Sequence, residues 1–365
     1  MIFGRNKSKK IDLLAAADFL NRFKHPSLIN LWANKPGIVT QSSTSTKEVT
    51  VIFPFAAGTL ISELNMWLED KMEQNTSLPS FNIIQRVAII KTGMRPHLKG
   101  VKNIIVVSSA KGGVGKSTTS ANLALSLHAQ GAKVGLVDAD IYGPSLPLML
   151  GTKGKQPIIL DGKTMEPVEA YNIYSNSIGY LVSDEKAMVW RGPMASKAFA
   201  QLINETNWPN LDYLIVDMPP GTGDVQLSLA QQFPVSAAIV VTTPQDLALA
   251  DAIKGIVMFE KVSVPVLGIV ENMSYHICNK CGHHEAIFGE GGAQKIASQY
   301  GLLLLAQIPL HIGIREDIDA GMPTVASRPD SEHSAIYRQM ALRIASQLYW
   351  NCEGVSTQIL ITTIE

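Results

Sequence analysis

Apolar and polar positions follow two different rhythms along this chain. From residue 103 onward, short apolar runs rich in valine and isoleucine alternate with stretches of helical period. The runs at 104–109, 134–138, 213–217, 238–242, 266–270 and 302–308 show no polar alternation. That is the pattern of strands covered on both faces. Strand and helix in alternation predict an α/β fold with a doubly wound, mainly parallel sheet. The stretch 156–180 interrupts the alternation, and Asp161-Gly162 between apolar residues predicts a β-hairpin insertion. Ahead of residue 95 the pattern changes. Residues 11–23 and 60–72 carry helical spacing, 48–53 alternates like a half-buried strand, and 83–90 predicts another strand. The chain therefore divides into a small α+β domain over 1–95, a linker over 96–102 marked by Pro96 and Gly100, a main domain over 103–350 and a tail over 351–365.

Between the first strand and first helix of the main domain lies Ser108-Ser109-Ala110-Lys111-Gly112-Gly113-Val114-Gly115-Lys116-Ser117-Thr118-Thr119. Strand, glycine loop and helix are the context of a phosphate-binding loop. The glycines let backbone N–H groups turn inward on an anion, and the helix N-terminus adds unpaired donors. Lys116 is placed to reach the β- and γ-phosphates, and the Ser117 hydroxyl to meet Mg²⁺. Ala110 stands where the standard pattern has glycine, and a second lysine, Lys111, precedes Gly112. This string resembles the deviant Walker A motif of the MinD/ParA/Mrp class of P-loop ATPases. The resemblance implies that residues Ala110, Lys111, Gly112, Gly113, Val114, Gly115, Lys116, Ser117 and Thr118 hold ATP. It also implies that Lys111 contacts phosphate across a nucleotide-sandwich dimer.

Ligands of doubly wound sheets collect at the carboxyl ends of strands. The second strand ends in Asp138-Ala139-Asp140. The resemblance gives Asp140 the attacking water and Asp138 a place in the magnesium shell; capping of the next element is the alternative for Asp138. The third strand ends in Asp217, as a Walker B strand does, and Asp217 would hold the metal through water. It runs into Met218-Pro219-Pro220-Gly221-Thr222-Gly223-Asp224, a segment able to respond to the γ-phosphate as switch loops do. Asp-x-Pro-Pro-Gly-Thr-Gly-Asp resembles the Mrp subgroup in particular. The strings around Arg191, Phe288, Pro309 and Arg315 are similar to that family as well. The fifth strand leads into Asn272, which the resemblance assigns to the adenine edge; an amide suits the N6/N7 donor–acceptor pair. A turn cap is its alternative role.

Next comes Cys278-Asn279-Lys280-Cys281-Gly282-His283-His284. The Cys-x-x-Cys spacing lets two sulfurs converge on one ion or cluster edge. One pair is half a site, and a second copy related by a two-fold axis would complete four thiolates. Zinc held with His276, His283 or His284, or by four cysteines across a dimer, competes with this. So do a redox dithiol and an inert surface pair. The family resemblance implies the [4Fe–4S] cluster, labile between subunits and passed to apo-proteins. Cys352 lies outside any motif.

Totals add limits. Of 365 residues, 46% are apolar and 17% charged, below the usual charged share of about 25%. The net charge of zero announces no nucleic-acid footprint. No apolar run approaches membrane-spanning length. The basic start, 1–10, has no signal-peptide core behind it. Three cysteines fit a reducing cytoplasm rather than a disulfide framework. The first domain holds no cysteine and sits where Mrp proteins carry a domain related to iron–sulfur assembly factors. It has His25-Pro26-Ser27-Leu28 in place of an Asp-Pro-Glu-Leu-type signature, and reads as a docking or regulatory module. Together the motifs resemble the Mrp/ApbC family. The resemblance implies a cytoplasmic homodimeric ATPase that carries a cluster from an assembly scaffold to apo-proteins, without nucleic acid or membrane. A ParA/MinD-like positioning ATPase and a nucleotide-gated zinc scaffold are the rival readings.

Overall fold

The computed structural model describes residues 11–43, 45, 47–74, 78–92, 96–182, 192–278, 280–351 and 354–355. Arg191 and Cys352 lie outside them. The described residues form two compact units, one of those up to 89 together with those from 345, the other of those between 90 and 344. The C-terminal return to the first unit begins inside the last helix, earlier than the tail that the sequence suggests.

The first unit opens with α1 (Leu13–Leu20), whose first amides are capped by Asp12 through Leu14 and Ala15. Three strands follow: β1 (Val39–Gln41), β2 (Glu48–Phe53) and β3 (Ser80–Gln85). β1 pairs antiparallel with β2, and β2 pairs parallel with β3 across the helix α2 (Gly58–Gln74). Leu60, Leu64 and Leu68, spaced by four, form the buried stripe of α2. Val49, Val51 and Phe53 face the same core, and Trp32 stacks on Phe53 at 5.5 Å. Trp350 donates to the Ser27 carbonyl at 3.1 Å and sets its ring edge-on to Phe55, which fixes residues 345–351 here. The strand expected over 83–90 is two pieces, β3 and β4 (Ile89–Ile90). Between them Arg86 and Ala88 donate to the carbonyls of Phe53 and Pro54, so the chain follows the end of β2 instead of running straight.

The second unit is an eight-stranded sheet. Its strands are β5 (Val101–Ser108), β6 (Val134–Asp138), β7 (Val168–Ala170), β8 (Ile173–Ser177), β9 (Leu211–Asp217), β10 (Val235–Thr242), β11 (Val266–Glu271) and β14 (Leu303–Gln307). They lie in the order β14-β11-β10-β5-β9-β6-β8-β7. Every pairing is parallel except β7 with β8. All eight residues of β10 are buried, as a strand covered on both faces must be. The covering helices are α3 (Lys116–Ala129), α5 (Gly192–Asn204), α6 (Asp224–Gln232), α7 (Asp246–Lys261) and α8 (Gly292–Gln299), with the start of α11 (Glu332–Asn351). The short α4 (Leu146–Met149), α9 (Ile312–Asp319) and α10 (Thr324–Ser327) fill the connections.

The break in alternation at 156–180 is two hairpins. Asp161 accepts from the Thr164 amide at 2.6 Å and closes the first, in which Ile159 bridges Met165. The second is β7–β8, turned by Tyr171 and Asn172, both left-handed, the backbone of a type I′ turn. Its return strand β8 extends the sheet beside β6. At the other edge, the Arg343 guanidinium donates to the Leu304 and Leu305 carbonyls at 2.9 and 3.0 Å.

His311 and His333 pack ring to ring at 4.3 Å, and His333 Nε2 is buried without a hydrogen-bond partner. Burial, then the neighbouring His311, hold His333 below the usual histidine range. The unfolded chain takes up this proton below about pH 6.5, and the folded chain resists it until lower pH. The stability that depends on His333 is therefore expected to fall as pH drops through that point, against the opposite contribution of the raised Asp138 and Asp140. Thermal unfolding of wild type and His333→Phe followed side by side from pH 8 to pH 5 should show the wild type losing ground to the variant as the pH falls.

Candidate functional site

Parallel strands bring their carboxyl ends to one edge of the second unit, and the motifs sit there. Leaving β5, the chain turns through Gly113 and Gly115, both at φ +81°, a region that favours glycine. A Cβ on Gly112 or Gly113 would meet open space. One on Gly115 would collide with the Asn272 amide. α3 then starts at Lys116, and its first bond runs from the Thr119 amide to the Gly115 carbonyl at 3.0 Å. The amides of Lys116, Ser117 and Thr118 thus have no partner within the helix. An open glycine cradle, a helix start and a lysine fit a nucleotide's phosphate chain.

Asp138 and Asp217 end neighbouring strands at the same register. Lys116 Nζ lies 2.6 Å from Asp217 Oδ1 and 3.2 Å from Ser117 Oγ. Ser120, one turn further along α3, donates to the same Asp217 oxygen at 2.8 Å. Ser120 belongs to no phosphate-loop motif, although i, i+4 from Lys116 puts it on the same helix face. The Asp138 carboxylate accepts from four donors. Oδ1 takes the Asp140 amide at 3.0 Å; Oδ2 takes the Ser145 and Leu146 amides at 3.0 and 3.2 Å and Ser177 Oγ at 3.2 Å. Asp138 therefore shapes the loop that carries Asp140. Burial, then the Asp217 charge opposite, push Asp138 up to about 7, against the pull of its amide donors and Lys116. Asp140 is half-exposed, and partial burial raises it too, with Lys116 opposing. A carboxylate raised toward neutrality is a better proton acceptor for water than one at its ordinary value.

Lys111 is exposed at the tip of the loop, and its carbonyl accepts from Ser109 Oγ at 2.9 Å. The switch segment is tied to the same place. Gly221 donates to the Ser109 carbonyl at 2.9 Å, and Gln226 Nε2 donates to the Pro220 carbonyl at 2.8 Å. Gln226 carries no signal in the sequence, since a buried glutamine on a helix has no motif of its own. Asn272 braces the loop from the far side, with Nδ2 donating to the Val114 carbonyl at 2.9 Å.

The cysteines sit on a separate hairpin, β12 (His276–Ile277) against β13 (His284–Glu285). Cys278 donates its amide to the His283 carbonyl and accepts from the Gly282 amide, each at 2.9 Å, and Gly282 turns left-handed at φ +70°. Both thiols are free; Cys281 is exposed and Cys278 partly so. Amides of Lys280 and Cys281 point at the Cys278 sulfur and hold it below the usual thiol range, which favours the thiolate that binds metal. His283 and His284 are exposed, and the His284 ring stacks on Tyr275 at 5.1 Å. His276 faces the Leu310 carbonyl at 3.3 Å. Among the described residues, no three side chains of histidine, cysteine, aspartate or glutamate are grouped to hold a metal ion. Nor, among the described residues, is any helix long and apolar enough to cross a membrane.

Comparison with known proteins gives the same answer from another direction. The sequence model of ParA, described as NUBPL iron-transfer P-loop NTPase, matches residues 100–345. An Escherichia coli K12 protein named iron-sulfur cluster carrier protein is 54% identical over 361 residues, covering 97% of this chain and 98% of that one. The mouse iron-sulfur cluster transfer protein NUBPL is 47% identical over 268 residues, 72% of this chain and 84% of its own. Among solved structures, an Archaeoglobus fulgidus nucleotide-binding protein in complex with ADP is 34% identical, with a TM-score of 0.58, over 66% of this chain and 94% of that one. The Pyrococcus furiosus cell division ATPase MinD is 25% identical at a TM-score of 0.51, over 66% of this chain and 98% of its own. The family match over residues 100–345 takes in the P-loop, the strand ends and the cysteine hairpin of this chain, and the chain belongs to the ParA/NUBPL family of P-loop ATPases.

Proposed function

We propose that this protein is an ATP-dependent carrier that holds a [4Fe–4S] cluster between two copies of itself and passes it to apo-proteins. The observation that carries this reading is the cysteine hairpin. It presents two free thiols outward, too few for a cluster in one chain and the right number when a two-fold axis brings a second pair. The relatives' names point to the same cargo.

The nucleotide chemistry follows from the strand ends. Lys116 would turn from Asp217 to the β- and γ-phosphates, while the open amides of the cradle hold their oxygens. Ser117 and Asp217 would hold Mg²⁺, with Asp138 behind them fixing the loop. When bound, Mg²⁺ neutralises charge on the phosphate chain. Asp140 would orient the water and accept its proton. Lys111, exposed on the loop, would reach the nucleotide of the second copy. Asn272, already fixed in direction by the Val114 carbonyl, would meet the adenine edge. Loss of the γ-phosphate would change the setting of the switch segment, which is anchored beside the loop at Gly221, and relax the dimer. Such a carrier belongs in a reducing, cytoplasmic setting, where free thiols persist.

Anaerobic reconstitution with iron and sulfide tests the cargo. The wild type should take up both in matched amounts and gain broad visible absorbance, and Cys278→Ala should gain none. Absorbance unchanged in Cys278→Ala, or zinc without sulfide in protein purified anaerobically, would overturn the carrier reading. The half-exposed Asp140 can be replaced without stranding a buried charge. Asp140→Asn should keep nucleotide affinity and cluster loading while hydrolysis falls by about 10²-fold or more. Cluster release to an apo-protein should slow with it, as read by loss of visible absorbance from the carrier.

A further inference from the structure

Between the nucleotide loop and the cysteine hairpin lies a short corner, Glu271-Asn272-Met273-Ser274, at the end of β11. Glu271 is fully buried, and its partners in the contacts described are neutral donors. Oε1 accepts from the Ala293 amide in the first turn of α8 at 3.2 Å. Oε2 accepts from Gln307 Nε2, at the end of β14, at 2.9 Å, and from Ser274 Oγ at 2.5 Å. A buried carboxylate is retained only where its lone pairs are satisfied, and three elements converge to do so. Ser274 also takes the Gln307 amide at 3.1 Å and donates its own backbone amide to Ile308 at 2.9 Å.

The corner turns at Met273, which is left-handed at φ +55°. A residue with a side chain pays about 1 kcal/mol or more to stay there, and does so only when its surroundings over-determine it. The turn sends the two neighbouring side chains to different tasks. Asn272 points back to the P-loop and holds the Val114 carbonyl. Ser274 points to Glu271, and the chain after it forms the base of the cysteine hairpin. There the Leu310 amide donates to the Tyr275 carbonyl at 2.7 Å, and the Tyr275 ring lies on His284 of β13, tilted by only 10°. A continuous set of bonds therefore runs from the P-loop backbone, through one left-handed corner, to the strand that closes the cysteine turn.

We propose that Glu271 is a positioning residue that locks this corner, so that nucleotide at the P-loop changes the accessibility of the two thiols. It touches neither phosphate nor cargo; it holds Ser274 and Gln307 so that movement of the Asn272 side passes to the hairpin side. The proposal rests on the carrier reading for its biological meaning, but its test uses no cluster.

The experiment measures alkylation rates of Cys278 and Cys281 by iodoacetamide in the cluster-free chain, by mass spectrometry, with and without Mg²⁺ and a non-hydrolysable ATP analogue. In the wild type the nucleotide should change the Cys278 rate by about fivefold, the lower end of typical coupling between sites. Glu271→Gln places an amide donor among groups that already donate, and should bring that ratio close to one with analogue affinity within about twofold of wild type. Should Glu271→Gln fail to fold, Ser274→Ala decides. It removes the one hydroxyl through which Glu271 holds the corner, leaves Glu271 its Gln307 and Ala293 donors, and should lower the ratio in the same direction. A residue with a purely structural role would lower the melting temperature and leave the ratio untouched. An unchanged ratio in the folded variants, or a wild type whose thiols ignore the nucleotide, would overturn the proposal. Failure of the wild type to load iron and sulfide would instead remove the carrier reading and leave this coupling standing.

Discussion

Two carboxylates that end adjacent buried strands must each be compensated, by a cation, by hydrogen-bond donors or by a proton. Strands in a sheet lie about 4.8 Å apart, where like charges repel by on the order of 3 kcal/mol at a protein's effective dielectric. Asp138 and Asp217 are placed in that relation by the register of β6 and β9. Lys116 answers Asp217 directly, and the amides of the following loop answer Asp138. Much of the second unit follows from this cluster. α3 must start where its first lysine reaches β9, the glycine loop must be long enough to bring it there, and the chain after β6 must curl back over Asp138. The residual imbalance appears as a proton affinity near neutrality on Asp138. A phosphate chain with its metal suits such a place, because it brings both a new anion for the lysine and a cation for the aspartates.

The strand runs and the phosphate loop were legible because each obeys a short-range rule. Buried parallel strands must be continuously apolar, and a loop that wraps an anion must have glycine where φ is positive, as at Gly113 and Gly115. Asp217 followed from its place at a strand end, and the pairing of Cys278 with Cys281 from their spacing; the hairpin that carries them did not. The Asp161-Gly162 turn was also visible, but the second hairpin beside it was not. Tyr171 and Asn172 adopt the left-handed pair without glycine, and the Tyr171 hydroxyl is held by the Gly321 carbonyl at 2.6 Å, a partner 150 residues away. Long-range partners hid the other residues too. Ser177 is bonded to Asp138 across two strands, and Glu271 gathers donors from three elements. Nothing local distinguishes such a glutamate from a solvated one. The return of residues from 345 to the first unit likewise depends on Trp350 finding the Ser27 carbonyl.

Two halves of the site differ in how firmly they are held. The phosphate loop is braced on several sides, by Asn272, by Gly221 and by the lysine–aspartate contact. The cysteine turn projects from a two-residue ladder, with its thiols outward. A rigid clamp beside a slender arm is a sensible division for a molecule that must grip one ligand and surrender another.

The guanidinium of Arg343 at the margin of the sheet has a consequence for how copies of this chain can meet. Outermost strands offer a row of backbone acceptors that invites a neighbour to add itself, and from there fibres grow. With the Leu304 and Leu305 oxygens already spoken for, an incoming strand would have to displace a fixed cation before making its first bonds. Open-ended stacking is thereby discouraged on that flank, and self-association is left to surfaces that can close on themselves.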